Sequence, residues 1–255
     1  MDVFSMILAD ILFLLIGLVG SAAAFWLYNR FPPAWFCEDG DFSKAGREPD
    51  MVPDPRMKRF PDGVWYCSIL VFILFLFYIQ YGLSPAFLCS LLSLVFFSFV
   101  FVADQKTGII PDQFIAGLLF VSLLWMVNDF HFLQETGDAW YRNILMRILG
   151  GIAGSAILFG IGWIGARIFK EEAMGMGDVK LAFACGVLVG WSSVLWVLGL
   201  AFLFAFFPAL AQLLHVRKEQ RRHIPFGPFI TVAATLCILF PSEFELLVLW
   251  YRQLM

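Results

Sequence analysis

The chain has 255 residues, 61% of them hydrophobic and 18% aromatic, with 30 Phe but only 15% charged residues. A soluble domain carries about 25% charge, so a water-facing globule is excluded, and the unbroken apolar runs exclude a β-barrel, whose strands alternate polar and apolar residues. What remains is an all-α polytopic integral membrane protein, because helices satisfy their own backbone inside lipid; the net charge of −3 gives no sign of a nucleic-acid partner.

The N-terminus carries Asp2 and Asp10 instead of a basic region, and its apolar stretch is long enough to span. It therefore reads as a first transmembrane helix and not as a cleavable signal peptide. In chain order, eight spans are expected, at about 11–28, 64–81, 84–103, 113–128, 148–166, 178–190, 194–215 and 225–240. Residues 1–63 form one unit, the first span plus a Pro-rich loop too irregular in composition for a packed domain. Residues 64–255 form a single membrane-embedded core.

Pro85 suits the first turn of the third span, and Pro208 falls inside the seventh. Gly150 and Gly154 put a small-residue face on the fifth, for close helix contact. The fourth, sixth and eighth spans are short for a perpendicular crossing, and the short fourth and sixth imply a bilayer thinned locally around the acids at their ends.

The break between the sixth and seventh spans follows from length. Leu181–Leu214 has no charge and would run about 50 Å as one helix. Gly190-Trp191-Ser192-Ser193 is the natural interruption. With eight spans, loops 29–63, 104–112, 167–180 and 216–223 share one side and hold 14 of the 17 Lys and Arg residues. The other side keeps Arg142, Arg147 and Arg252. That asymmetry places the basic loops in the cytoplasm and both termini outside, in a bacterial inner membrane with lipid as constant partner.

Two acids carry the chemistry. Asp178 opens the sixth span directly after Gly175-Met176-Gly177, glycines that leave the backbone bare, free to take φ > 0 and open to close approach. Asp104 ends the third span, in Ala103-Asp104-Gln105-Lys106-Thr107-Gly108-Ile109-Ile110-Pro111-Asp112. Alternating spans bring both to one face of the membrane. Two carboxylates side by side share a proton, so one activates water while the other protonates the carbonyl or the leaving amine. Asp178 at a helix N-terminus is expected as the anion, and Asp104 near a C-terminus as the acid.

Glu172-Ala173-Met174-Gly175-Met176-Gly177-Asp178-Val179-Lys180-Leu181 resembles the signature of the type IV prepilin peptidases, G-x-G-D membrane aspartyl proteases. Asp104 with Ile110-Pro111-Asp112, and Ile224-Pro225-Phe226-Gly227-Pro228, are similar to that family's other motifs. The resemblance implies Asp104 and Asp178 as the catalytic pair. Gly175, Gly177, Asp112, Glu172 and Lys180 become supporting residues, the last three without an assigned role. The implied partner is the substrate helix of a prepilin or pseudopilin, cut after a glycine at the cytoplasmic boundary.

Many members carry two C-x-x-C pairs in the first loop and also methylate the new N-terminus with S-adenosylmethionine. Here that region has only Cys37, with Cys67 just beyond. No zinc is expected, proteolysis itself calls for no cofactor, and S-adenosylmethionine enters only if methyl transfer is retained. Two other classes fit the coarse pattern: a coupled ion or proton transporter with acids in short spans, and a catalytically idle scaffold. The first calls for acids near mid-bilayer and an internal repeat, neither of which is evident.

Overall fold

A computed structural model describes residues 3–36, 55–136, 140–170, 174–215 and 224–241. Among them are eight α-helices: α1 (Val3–Tyr28), α2 (Val64–Tyr81), α3 (Pro85–Thr107), α4 (Asp112–Thr136), α5 (Trp140–Phe169), α6 (Met176–Val189), α7 (Trp191–His215) and α8 (Gly227–Leu239). Five stretches are long and apolar enough to cross a bilayer: Pro61–Tyr81, Pro85–Thr107, Asp112–Phe130, Tyr141–Ile168 and Trp191–Leu214. Phe13–Tyr28 and Gly227–Leu239 are shorter apolar helices. The protein is a polytopic helical membrane protein.

The helix ends follow local chemistry. Ser84 caps α3 by accepting from the Phe87 amide, with Pro85 behind it in the first turn. The break between α6 and α7 falls at Gly190, whose φ of +84° is readily reached only without a side chain. Pro208 lies inside α7.

Three spans differ from the expectation, the first in that α1 begins at Val3 and not near residue 11. α4 runs 25 residues and is not short, and α5 begins at Trp140 and runs 30. The expected limits, 128 and 148, fall directly beside Asp129 and Arg147. Those two side chains are paired inside their helices. The Arg147 guanidinium donates to Asp129 Oδ2 from Nε at 3.1 Å and Nη2 at 2.5 Å, and the Asn143 amide adds a third bond at 2.8 Å. Arg147 Nη1 also donates to the carbonyls of Val187 and Leu188. One cation thus ties α4 to α5 and closes the C-terminal end of α6, where unsatisfied carbonyls and the helix dipole favour it.

α6 has only 14 residues and is buried on most sides, as a helix apolar all round must be. It meets α5 through glycines. A Cβ on Gly150 would lie 2.6 Å from the Gly186 carbonyl oxygen, and one on Gly154 2.9 Å from that of Ala182. The small-residue face foreseen on α5 is therefore a backbone-to-backbone contact that sets the height of α6.

The loop after α1 is less loose at its described ends than its prolines suggest. The Met57 amide donates to Asn29 Oδ1 at 2.7 Å, so both ends of the loop are tied together. Phe31, Trp35 and Phe36 pack with Tyr28 onto Phe99 of α3 and Phe114 of α4. Cys37, Glu172, the Arg217–Arg222 run and Arg252 lie outside the described residues.

Two substitutions probe this frame. Arg147→Ala strands Asp129 and uncovers the end of α6, and should cost about 3 kcal/mol, read as a fall in thermal stability in detergent. Gly186→Leu forces α5 and α6 apart and should lower stability by about 2 kcal/mol or more, whereas Gly199→Leu, where nothing lies within 4 Å of an added Cβ, should not.

Candidate active site

The site is assembled from three chain reversals. In the first, α3 ends one turn after Asp104. Gly108 takes φ +68° and its amide donates to the Asp104 carbonyl at 2.9 Å. Thr107 Oγ1 reinforces the turn by donating to the Ala103 carbonyl at 2.7 Å and accepting from the Ile109 amide at 3.3 Å. The chain comes straight back, burying Ile110 and starting α4 at Asp112.

The second reversal leads into α6. The expectation that Gly175 and Gly177 adopt φ > 0 is not met: Gly175 is the N-cap at φ −69°, ψ 145°, and Gly177 is already helical. Their value is close approach. A Cβ on Gly177 would stand 3.3 Å from Ile110 Cβ, and one on Gly175 3.6 Å from Asp178 Oδ2. The bare backbone lets the Ile110 turn press against the start of α6, which brings Asp178 beside Asp104.

The third element is the start of α8. Its first amide, on Gly227, donates to Asp104 Oδ2 at 2.9 Å. The same glycine is within backbone hydrogen-bond reach of the Asp178 carboxylate, as is Gly175. A Cβ on Gly227 would fall 2.7 Å from Asp104 Oδ2 and 3.0 Å from Ile110 Cδ1. Two carboxylates 74 positions apart thus lie near each other at the start of α8, both buried, at 5% and 7% exposure. Asp178 Oδ1 has no hydrogen-bond partner among the described residues. Asp178 lies in the first turn of α6 while Asp104 faces the first residue of α8. Both carboxylates therefore meet a helix N-terminus, and the dipole does not separate anion from acid as expected from their own helices alone.

Lys180 and Asp112 gain a geometry. Lys180 Nζ donates to both oxygens of Asp112 at 2.8 Å, clipping the start of α6 to the start of α4 on an exposed surface. Gly227 and Ile110 were not singled out as site residues from sequence. Their motifs were visible, but a main-chain N–H and a spacer side chain leave no chemical signature of their own.

Residues 91–210 match the type IV leader peptidase family. The chain is 30% identical over 162 residues to the prepilin leader peptidase/N-methyltransferase of Aeromonas hydrophila, covering 63% of this chain and 51% of that protein. It is 29% identical over 161 residues to the protein of the same name from Aeromonas salmonicida (strain A449), covering 63% and 50%. With that of Burkholderia pseudomallei (strain K96243) it shares 27% over 147 residues, covering 56% and 43%. The chain spans about half the length of the curated relatives it matches, and no solved structure matches it. None of these similarities supports the transporter alternative. Among the described residues the cavity running from that end is lined mainly by apolar side chains, which do not fit the charged, polar S-adenosylmethionine.

Gly227→Ala places a methyl against Asp104 and displaces the amide that donates to it. It should lower turnover by about 100-fold, the usual cost of losing one aimed donor, with helix content by circular dichroism unchanged.

Proposed function

We propose that this chain, which carries a type IV leader peptidase domain over residues 91–210, is a membrane aspartic endopeptidase that removes the leader peptide of type IV prepilins or pseudopilins. The observation that carries it is the burial of Asp104 and Asp178 close together, with the Gly227 amide donating to Asp104. Nothing else among the described residues pairs two acids at the end of a span. The relatives' names supply the substrate class.

In the working state the pair holds one proton. The ionised carboxylate takes a proton from a water molecule, and the resulting hydroxide adds to the scissile carbonyl. The protonated partner gives its proton to the carbonyl oxygen, forming a neutral gem-diol. Collapse of that diol breaks the C–N bond. The carboxyl group that gained the water's proton passes it to the leaving amine, and the diol's hydroxyl proton returns to the other carboxylate. The dyad ends as it began, with one proton. Gly227 N–H holds the Asp104 carboxylate in place throughout, and the Ile110 turn packs against the glycines at the floor of the site.

The cut falls after a glycine at the cytoplasmic boundary of a bacterial inner membrane. That orientation rests on the Lys and Arg asymmetry, 14 of 17 on the side of the dyad. The short α6, 14 residues and about 21 Å long, fits a bilayer thinned at the dyad so that water enters from that side.

The test is incubation of the purified protein with a full-length prepilin, scoring leader removal and methyl incorporation separately. Asp104→Asn and Asp178→Asn should each reduce leader removal by about 1000-fold or more, and the wild-type rate should follow a bell-shaped pH profile, because the pair works only with one proton between two sites. Retained turnover in both variants would eliminate the dyad. Methyl incorporation that survives both substitutions would assign that chemistry to another part of the molecule.

A further inference from the structure

A cavity of about 580 Å³ runs along the bundle between α2, α3 and α8, beginning at the end where the dyad lies. On α3 its wall extends from Leu94 to Lys106, about 18 Å of helix, more than half the roughly 30 Å hydrocarbon core. Trp65, Ile69 and Phe72 of α2 and Val232 of α8 stand exposed along it. Apart from the exposed Gln105 at the dyad end, its polar side chains are already matched. Tyr66 Oη and Ser98 Oγ bond each other at 2.9 Å, and the Thr231 and Thr235 hydroxyls donate to carbonyls of their own helix. Charge appears only at the dyad end, where Lys106 and Asp62 pair at 3.0 Å. Such a wall offers nothing to an extended peptide with unmet amides. It suits an apolar helix whose backbone is satisfied internally.

The link to the dyad is a row on α8. Gly227, Thr231, Thr235 and Leu239 recur every fourth residue and so lie along one face. The first donates to Asp104, and the other three line the cavity. The small Thr231 and Thr235 at that spacing permit a close helix approach. We propose that this groove receives the apolar helix that follows the cut site in the substrate, seated along the α8 row so that its first residues reach the two carboxylates. This rests on the leader-peptidase function proposed above and adds where the substrate's membrane segment lies. The rival occupant is a lipid acyl chain.

The experiment uses the whole protein in phosphatidylethanolamine–phosphatidylglycerol vesicles with a full-length prepilin. Photoreactive benzoylphenylalanine replaces Ile69 or Val232, and Leu203, exposed on α7, serves as the remote control. Prepilin adducts should form from the first two positions, map to the apolar segment after the cut, and be absent from the third. In parallel, Val232→Trp and Ile69→Trp, which fill the groove from exposed positions, should raise KM for prepilin about tenfold with kcat nearly unchanged, a loss of uniform binding. Leu203→Trp should change neither constant. Adducts to lipid alone, equal labelling from Leu203, or unaltered KM in both Trp variants would overturn the groove while leader removal by the wild type stands. Absence of leader removal by the unmodified protein would instead overturn the proposed function, and the groove's role with it.

Discussion

Two carboxylates buried side by side are costly: each loses its hydration, and each repels the other's charge. Here the main-chain N–H of Gly227 serves Asp104, next to Asp178, and the fold is arranged to deliver it. Gly227 must be glycine for its backbone to come this near Asp104, and Ile110 fills the remaining space from below. The positions of α3, α6 and α8 are consequences of that meeting point. The tight turn at Gly108 ends α3, the bare backbone at Gly177 admits Ile110, and the glycine contact between α5 and α6 sets how far Asp178 projects.

The helix count was legible because lipid imposes long apolar runs and the loops carry nearly all the base. The break at Gly190 followed from length alone. That Asp104 and Asp178 would come to one end of the bundle was legible too, since an acid at a span boundary is rare enough to notice. What was not legible was that α4 runs on past 128 and α5 starts before 148. Asp129 and Arg147 neutralise each other 18 positions apart, and no local pattern announces that pairing. Gly175 and Gly177 were credited with backbone freedom they do not use, because a glycine needed for proximity looks the same in sequence as one needed for a turn. Gly227 escaped notice for a related reason. Its contribution is an amide, common to every residue but proline, and its partner lies 123 positions away.

The stretch outside residues 91–210 is no appendage. Phe13 of α1 stacks on Tyr78 of α2 at 4.2 Å, and Tyr28 and Phe36 belong to the same buried cluster as Phe99 and Phe114. The first helix and the start of its loop therefore brace the ends of α3 and α4 next to the first of the two acids. Asn29 and Met57 close that loop at its base, so the connection returns to α2 at the same end of the bundle.

The two clips on α6 are of opposite character. At its far end Arg147 is largely enclosed, whereas Lys180 and Asp112 meet in the open. Dissolved ions reach only the second: at 0.15 M the screening length is about 8 Å, and an unshielded surface pair is worth little there. Raising ionic strength thus slackens the helix at the acid-bearing tip and leaves its tail anchored, which makes this end of the molecule the one that answers to the electrolyte around it.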